Sequence, residues 1–124
     1  MYFGLSEEQK SLEENINRFL ADNASLDVIK AVANGDIEKA DEIHRGIIDL
    51  GLSGLVIPEE YGGLGLNMLF ATVVSAALGS GTAPVPFAGS YIMAPLAINL
   101  AGDDAQKNMW LPKIAGGECV IGVG

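Results

Sequence analysis

At five points along this chain, Ser6, Ser25, Asp36, Asn67 and Asp103, a short polar side chain stands where a stretch of helical periodicity can begin. No other feature constrains the fold as tightly. A short polar side chain there accepts a hydrogen bond from one of the first N–H groups of a helix, which otherwise lack an intrahelical partner. Two of the five carry a reciprocal signal three residues on, Ser6 with Gln9 and Asp103 with Gln106, where the Gln side chain reaches back to the cap.

Behind the caps, apolar residues recur at helical spacing. Leu12, Ile16, Phe19 and Leu20 make one stripe of an amphipathic helix. Leu26, Ile29 and Val32 mark a short second helix, ended by Asn34-Gly35. Ile37, Ala40, Ile43, Ile47 and Leu50 mark a third, and Gly51 follows where a left-handed residue is wanted. The stretch from Met68 to Leu78 is apolar nearly all round, which predicts a helix at the buried centre of the bundle. A further apolar helix is predicted within Phe87 to Leu100, started or kinked by Pro95 and stopped by Gly102. A short helix carrying Met109, Trp110 and Leu111 is predicted to end at Pro112, which cannot continue a regular helix. Gly116-Gly117 then closes the element. Residues 51–66, with Pro58, Gly62, Gly63 and Gly65, read as a loop, and residues 79–86 as a Gly/Pro linker. Residues 119–124 read as the beginning of a strand. The fold class is all-α, a bundle of five or six helices ending in the start of a β strand. The division is a helical domain over 1–118 and the beginning of a β domain over 119–124.

A length of 124 residues allows one domain with a modest core. The net charge of −9, without any Lys/Arg cluster, argues against nucleic acid and against anionic membranes as partners. The single cysteine, Cys119, excludes an internal disulfide framework and suits a reducing, cytoplasmic location. The amino terminus, Met-Tyr-Phe-Gly-Leu-Ser-Glu-Glu, has neither the basic nor the apolar region of a secretory signal. Val85 to Ala101 is strongly apolar but too short to span a bilayer. Pro86, Gly89, Pro95 and Asn99 interrupt it, so it reads as core.

No catalytic constellation emerges from the residues themselves. Gly62-Gly63-Leu64-Gly65 is not a dinucleotide fingerprint, and no lysine follows it as in a phosphate-binding loop. A structural turn is the better reading. His44, the only histidine, has no companions at metal-ligand spacing and sits amid Asp41, Glu42 and Arg45, so it reads as a solvated helix residue. Glu7/Glu8, Glu13/Glu14 and Glu59/Glu60 are sequence neighbours, which diverge on a helix and make poor acid–base pairs. Cys119 reads as a buried small hydrophobe. Met68, Phe70, Tyr91, Met93 and Trp110 read as core. No metal site is expected.

The order of short motifs carries more information. Leu5-Ser-Glu-Glu-Gln9 followed by Phe19-Leu20 resembles the opening of acyl-CoA dehydrogenases. Leu50-Gly51-Leu52, Gly54-Leu55 and Ile57-Pro58-Glu59-Glu60-Tyr61-Gly62-Gly63-Leu64-Gly65 resemble that family's best-known amino-terminal segment. Gly102-Asp103, Gln106-Lys107, Trp110-Leu111-Pro112 and Gly116-Gly117-Glu118 resemble its lead-in to a β domain. Together they cover nearly the whole chain in the family's order.

That resemblance implies a helical amino-terminal domain of a flavin-dependent enzyme that oxidises the α,β bond of an acyl-CoA thioester. Such enzymes use FAD, usually assemble as tetramers or other oligomers, and typically pass electrons to an electron-transferring flavoprotein. The catalytic carboxylate and the Thr-Glu-Pro-like flavin segment belong to later domains. No residue here is therefore expected to be catalytic, and this stretch alone is expected to be inactive. The helix beginning near Phe87 resembles the wall of the acyl pocket, which makes Phe87, Gly89, Ser90, Tyr91, Met93 and Ala94 candidate substrate-binding residues. Val123 and Gly124 correspond to the edge of the flavin-contacting segment. Two other readings share these features: an acyl-CoA oxidase or flavin monooxygenase relative, and a non-catalytic helical interaction module or subunit.

Overall fold

The computed structural model describes residues 3–124. The reading of the amino terminus that begins at Met1 and Tyr2 therefore lies partly outside the described residues. Among the described residues there are six α-helices: α1 (Glu7–Asn23), α2 (Leu26–Ala33), α3 (Ile37–Asp49), α4 (Met68–Ser80), α5 (Ala94–Ala101) and α6 (Asp104–Ala115). A π-helical segment, Phe87–Met93, runs directly into α5. Residues 119–124 carry no helix and no paired strand.

The caps behave as the sequence predicts. Ser6, Ser25, Asp36, Asn67 and Asp103 each accept a hydrogen bond from a backbone N–H in the first turn of the helix they precede. Both capping boxes close, with Gln9 Oε1 accepting from the Ser6 N–H and Gln106 Oε1 accepting from the Asp103 N–H. Gly51 ends α3 in the left-handed region (φ 81°). Each such signal is local, so it needs no tertiary context to operate.

One core cluster takes Ile16 and Leu20 from α1, Ile43 and Ile47 from α3, Val74 from α4 and Leu111 from α6. Residues 51–66 contribute to it more than a loop would. They form two short 3-10 turns, Leu52–Gly54 and Glu59–Tyr61, and bury Leu52, Leu55 and Ile57. The first turn packs on α3, α6 and the π segment, so this stretch is an internal wedge rather than a surface connection.

Two helices differ from expectation. α4 is not the buried centre: Ala71, Val73, Val74, Ala77 and Leu78 face inward, while Leu69 is 67% exposed and Met68 is also at the surface. α1 packs along α4, and the Met68/Leu69 edge is left uncovered. In α6, Pro112 lies inside the helix instead of ending it. Its ring removes one donor near the carboxy-terminal end, but Leu111 and Ile114 on either side are fully buried and hold the last turn to the core. Gly116, Gly117 and Glu118 then donate back to the carbonyls of Pro112, Ile114 and Lys113. Tertiary anchoring outweighs the local proline penalty here.

Candidate functional site

The π segment is the irregular element of the domain. π turns are rare and occur mostly as short interruptions at functional positions. Here the widened turn closes with the Ala94 N–H donating to the Gly89 carbonyl, five residues back. Pro95, which has no N–H to give, falls in the first turn of α5, where its missing donor costs least.

This geometry divides the six candidate substrate residues between two sides. Gly89 and Met93, four positions apart, lie toward the open side: Met93 is 54% exposed, and no atom lies within 4 Å of the place a Gly89 Cβ would take. Phe87, Ser90, Tyr91 and Ala94 are buried. Phe87 lines one end of an apolar groove of ≈ 560 Å³ between α2, the end of α4 and residues 82–88, with Ile29, Val32, Leu78 and Val85. A second groove of ≈ 520 Å³ runs past Ala97, Ile98, Gln106, Trp110 and Ile121. Gly89 and Met93 lie in neither lining. Their side of the segment is open to solvent rather than enclosed.

Tyr91 is fully buried, and its hydroxyl shares a hydrogen bond of 2.5 Å with His44 Nε2 on α3. The two rings stack at 29°, with centroids 5.9 Å apart. Burial holds the Tyr91 phenol above its ordinary range, with a smaller contribution from Cys119. His44 is thus a half-buried partner in a cross-helix pair, not the solvated helix residue its acidic and basic neighbours suggest. Its helix turns those neighbours to the solvent and His44 toward the π segment. Nothing in the sequence links two residues 47 positions apart.

Two buried serines reach the carboxy-terminal part of the chain. Ser53 Oγ donates to the Ala115 carbonyl at 2.7 Å, and Ser90 Oγ donates to the Ile121 carbonyl at 2.9 Å. Cys119, between those acceptors, is partly buried, and burial pushes its thiol up, which disfavours a nucleophilic thiolate. Trp110 is 39% exposed, with Lys113 Nζ 5.6 Å from its ring centre, and it lines the second groove rather than the core. Among the described residues, no group of three or more His, Cys, Asp or Glu side chains is placed to hold a metal. No helix among them is long and apolar enough to cross a membrane.

Residues 6–118 match the family model for the acyl-CoA dehydrogenase N-terminal domain. The chain belongs to this family. Its domain is 38% identical over 117 residues to (2S)-methylsuccinyl-CoA dehydrogenase of Cereibacter sphaeroides, covering 93% of this chain and 21% of that protein. Among solved structures it resembles an acyl-CoA dehydrogenase complexed with FAD from Bacillus anthracis, with a TM-score of 0.82 and 25% identity over 94% of this chain and 20% of that one. It also resembles a chain of the ChsE4-ChsE5 complex from Mycobacterium tuberculosis, with a TM-score of 0.75 and 27% identity over 95% and 30% of the two chains. The chain therefore spans between a fifth and a third of these relatives. The likeness in fold extends over 94–95% of this chain.

Proposed function

We propose that this domain forms one wall of the acyl site in a flavin-dependent acyl-CoA dehydrogenase, which removes hydrogens from the α and β carbons of an acyl-CoA thioester. The observation that carries the reading is the family match over residues 6–118, combined with a π segment that leaves Gly89 and Met93 facing open space. An aliphatic chain can lie against a helix only where side chains are small or flexible, and a glycine beside a methionine provides that surface. Phe87, Ser90, Tyr91 and Ala94 act behind it, fixing the position of the wall. The named relative from Cereibacter sphaeroides is a dehydrogenase, which favours dehydrogenation over the oxidase and monooxygenase readings.

FAD fits this chain at one edge only. Gly122 and Gly124 have no atom within 4 Å of their Cβ positions, and Val123 between them is exposed, so a flat ring can approach the backbone there. Residues 119–124 contain no basic side chain for a diphosphate, and most of the cofactor contacts must come from other domains. Bound FAD would supply the hydride acceptor that no side chain provides. This chain's contribution is to orient the acyl group and exclude water from one side. An acyl-CoA substrate, an oligomeric assembly with like or unlike subunits, electron transfer to an electron-transferring flavoprotein and a cytoplasmic location belong to the same proposal.

The test is expression of the complete native coding region that carries this chain, followed by incubation with acyl-CoA thioesters of graded length and an artificial electron acceptor. Formation of the 2-enoyl thioester, two hydrogens lighter by mass, is the expected result. A flavin-free product with no turnover of any thioester defeats the reading.

A further inference from the structure

Ser90 stands among the candidates for touching substrate, but its side chain points elsewhere. It is 3% exposed, and its hydroxyl donates to the carbonyl of Ile121, 31 residues along the chain. A serine or threonine on a helix more commonly bonds back to the carbonyl four residues earlier. Thr72 on α4 does so, donating to Met68 at 2.9 Å. At Ser90 only the backbone N–H donates to the Pro86 carbonyl, and the hydroxyl instead leaves the helix and donates to the tail.

Ser53 does the same at the other end of the connector. It is fully buried in the wedge and donates to the Ala115 carbonyl, one of the terminal carbonyls that α6 cannot satisfy itself. Residues 116–120 are thus bracketed by two buried hydroxyls from different elements. Between them Gly117 turns at φ 72° where an added Cβ would meet Ile48, so the connector has little freedom to take another path.

We infer that Ser90 and Ser53 are positioning residues that set the course of the chain as it leaves the helical domain, and that Ser90 registers residues 122–124 against the π segment. Resting on the proposed function, this makes one hydroxyl the tie between the acyl wall and the flavin edge. Gly89 and Met93, on the same segment, face the acyl side, while Ser90 holds the backbone leading to Val123 and Gly124. A shift of either surface is passed to the other through this hydrogen bond.

The test uses Ser90→Ala and Ser53→Ala, with Ser90→Thr to restore a hydroxyl. In the 15N spectrum, the amide of Gly122 shares its peptide plane with the Ile121 carbonyl, and that of Gly116 shares its plane with the Ala115 carbonyl. Ser90→Ala is expected to move Gly122 and leave Gly116 in place; Ser53→Ala is expected to do the reverse. Ser90→Thr should return Gly122 toward its original position. An unmoved Gly122 in Ser90→Ala, or equal shifts throughout α1 and α4, overturns the inference, since the second result is general destabilisation. In the complete flavoprotein, Ser90→Ala should weaken FAD binding by up to about tenfold, because the lost ordering of residues 122–124 can cost no more than the worth of the one hydrogen bond, and alter the visible flavin spectrum. Acyl-CoA affinity should change less than FAD affinity; an unaltered spectrum and FAD affinity defeat the tie to the flavin. A wild-type protein that binds no flavin instead defeats the functional reading, while the amide shifts still decide the role of the two serines.

Discussion

Replacing Gly63 with alanine tests why the glycine cluster exists. A Cβ added at position 63 would lie 2.5 Å from the carbonyl carbon of Ile57 and 2.6 Å from its Cβ, where comfortable carbon contacts need about 3.5–4.0 Å. The turn must therefore open by roughly 1 Å. Ile57 is buried, and its carbonyl accepts from the Gly65 N–H at 2.8 Å. Opening the turn breaks that bond and displaces a core side chain. The bond contributes about 1 kcal/mol net, and forcing atoms into a packed core adds about 1–3 kcal/mol. Gly63→Ala should thus cost about 2–4 kcal/mol, a large part of a typical domain's stability of about 5–15 kcal/mol. Urea unfolding followed by far-UV circular dichroism should show a lower midpoint at an unchanged slope, and Tm should fall by about 6–20 °C. Gly79→Ala is the control: it lies on α4 with nothing within 4 Å of its Cβ position and should gain up to about 0.5–1 kcal/mol. A Gly63→Ala variant within about 0.5 kcal/mol of the original would refute the close-packing explanation.

Three further outcomes are expected. Tyr91→Phe should cost about 0.5–1.5 kcal/mol near neutral pH by removing the bond to His44. Because burial raises the folded-state pKa of Tyr91 above its ordinary 10.0, its contribution is present below that value and lost as pH rises through the folded pKa. The original protein should therefore lose stability more steeply than Tyr91→Phe at alkaline pH, and parallel urea midpoints across that range would contradict this. Gly89→Leu in the complete enzyme should shorten the preferred acyl chain, since the new side chain enters open space; an unchanged chain-length profile removes Gly89 from the wall. The isolated domain should self-associate through its exposed apolar residues, Met68, Leu69, Met93 and Leu100 among them, and a clean monomer at high concentration in sedimentation would count against it.

The parts legible in the sequence are those whose physics is local. A cap and its first turn lie within three residues of each other, so Ser6, Asp36 and Asp103 could be read directly, as could the left-handed Gly51. Pro112 misled because its penalty is local while the burial of Leu111 and Ile114 that outweighs it is not. The apolar character of α4 gave no sign of which side stays uncovered, because that depends on which helices pack against it. Residues 51–66 read as a loop from their glycines and Pro58, although Leu52, Leu55 and Ile57 mark how much of the stretch is buried. For the site, the family motifs directed attention to residues 87–94. Helical spacing groups Gly89 with Met93 and sets Phe87, Ser90, Tyr91 and Ala94 on the other side, but the motifs did not say which side meets the core, because that depends on the elements packed against the segment. His44 and Ser53 carried no signal: their partners are 47 and 62 residues away.

The most direct test is an anaerobic titration of the complete protein, purified with its flavin, using acyl-CoA thioesters while the oxidised flavin absorbance is followed. A dehydrogenase acyl site predicts bleaching by at least one thioester, with a chain-length preference that Gly89→Leu displaces toward shorter chains. A flavin that no thioester bleaches would contradict the proposal that this helical domain is the wall of such a site.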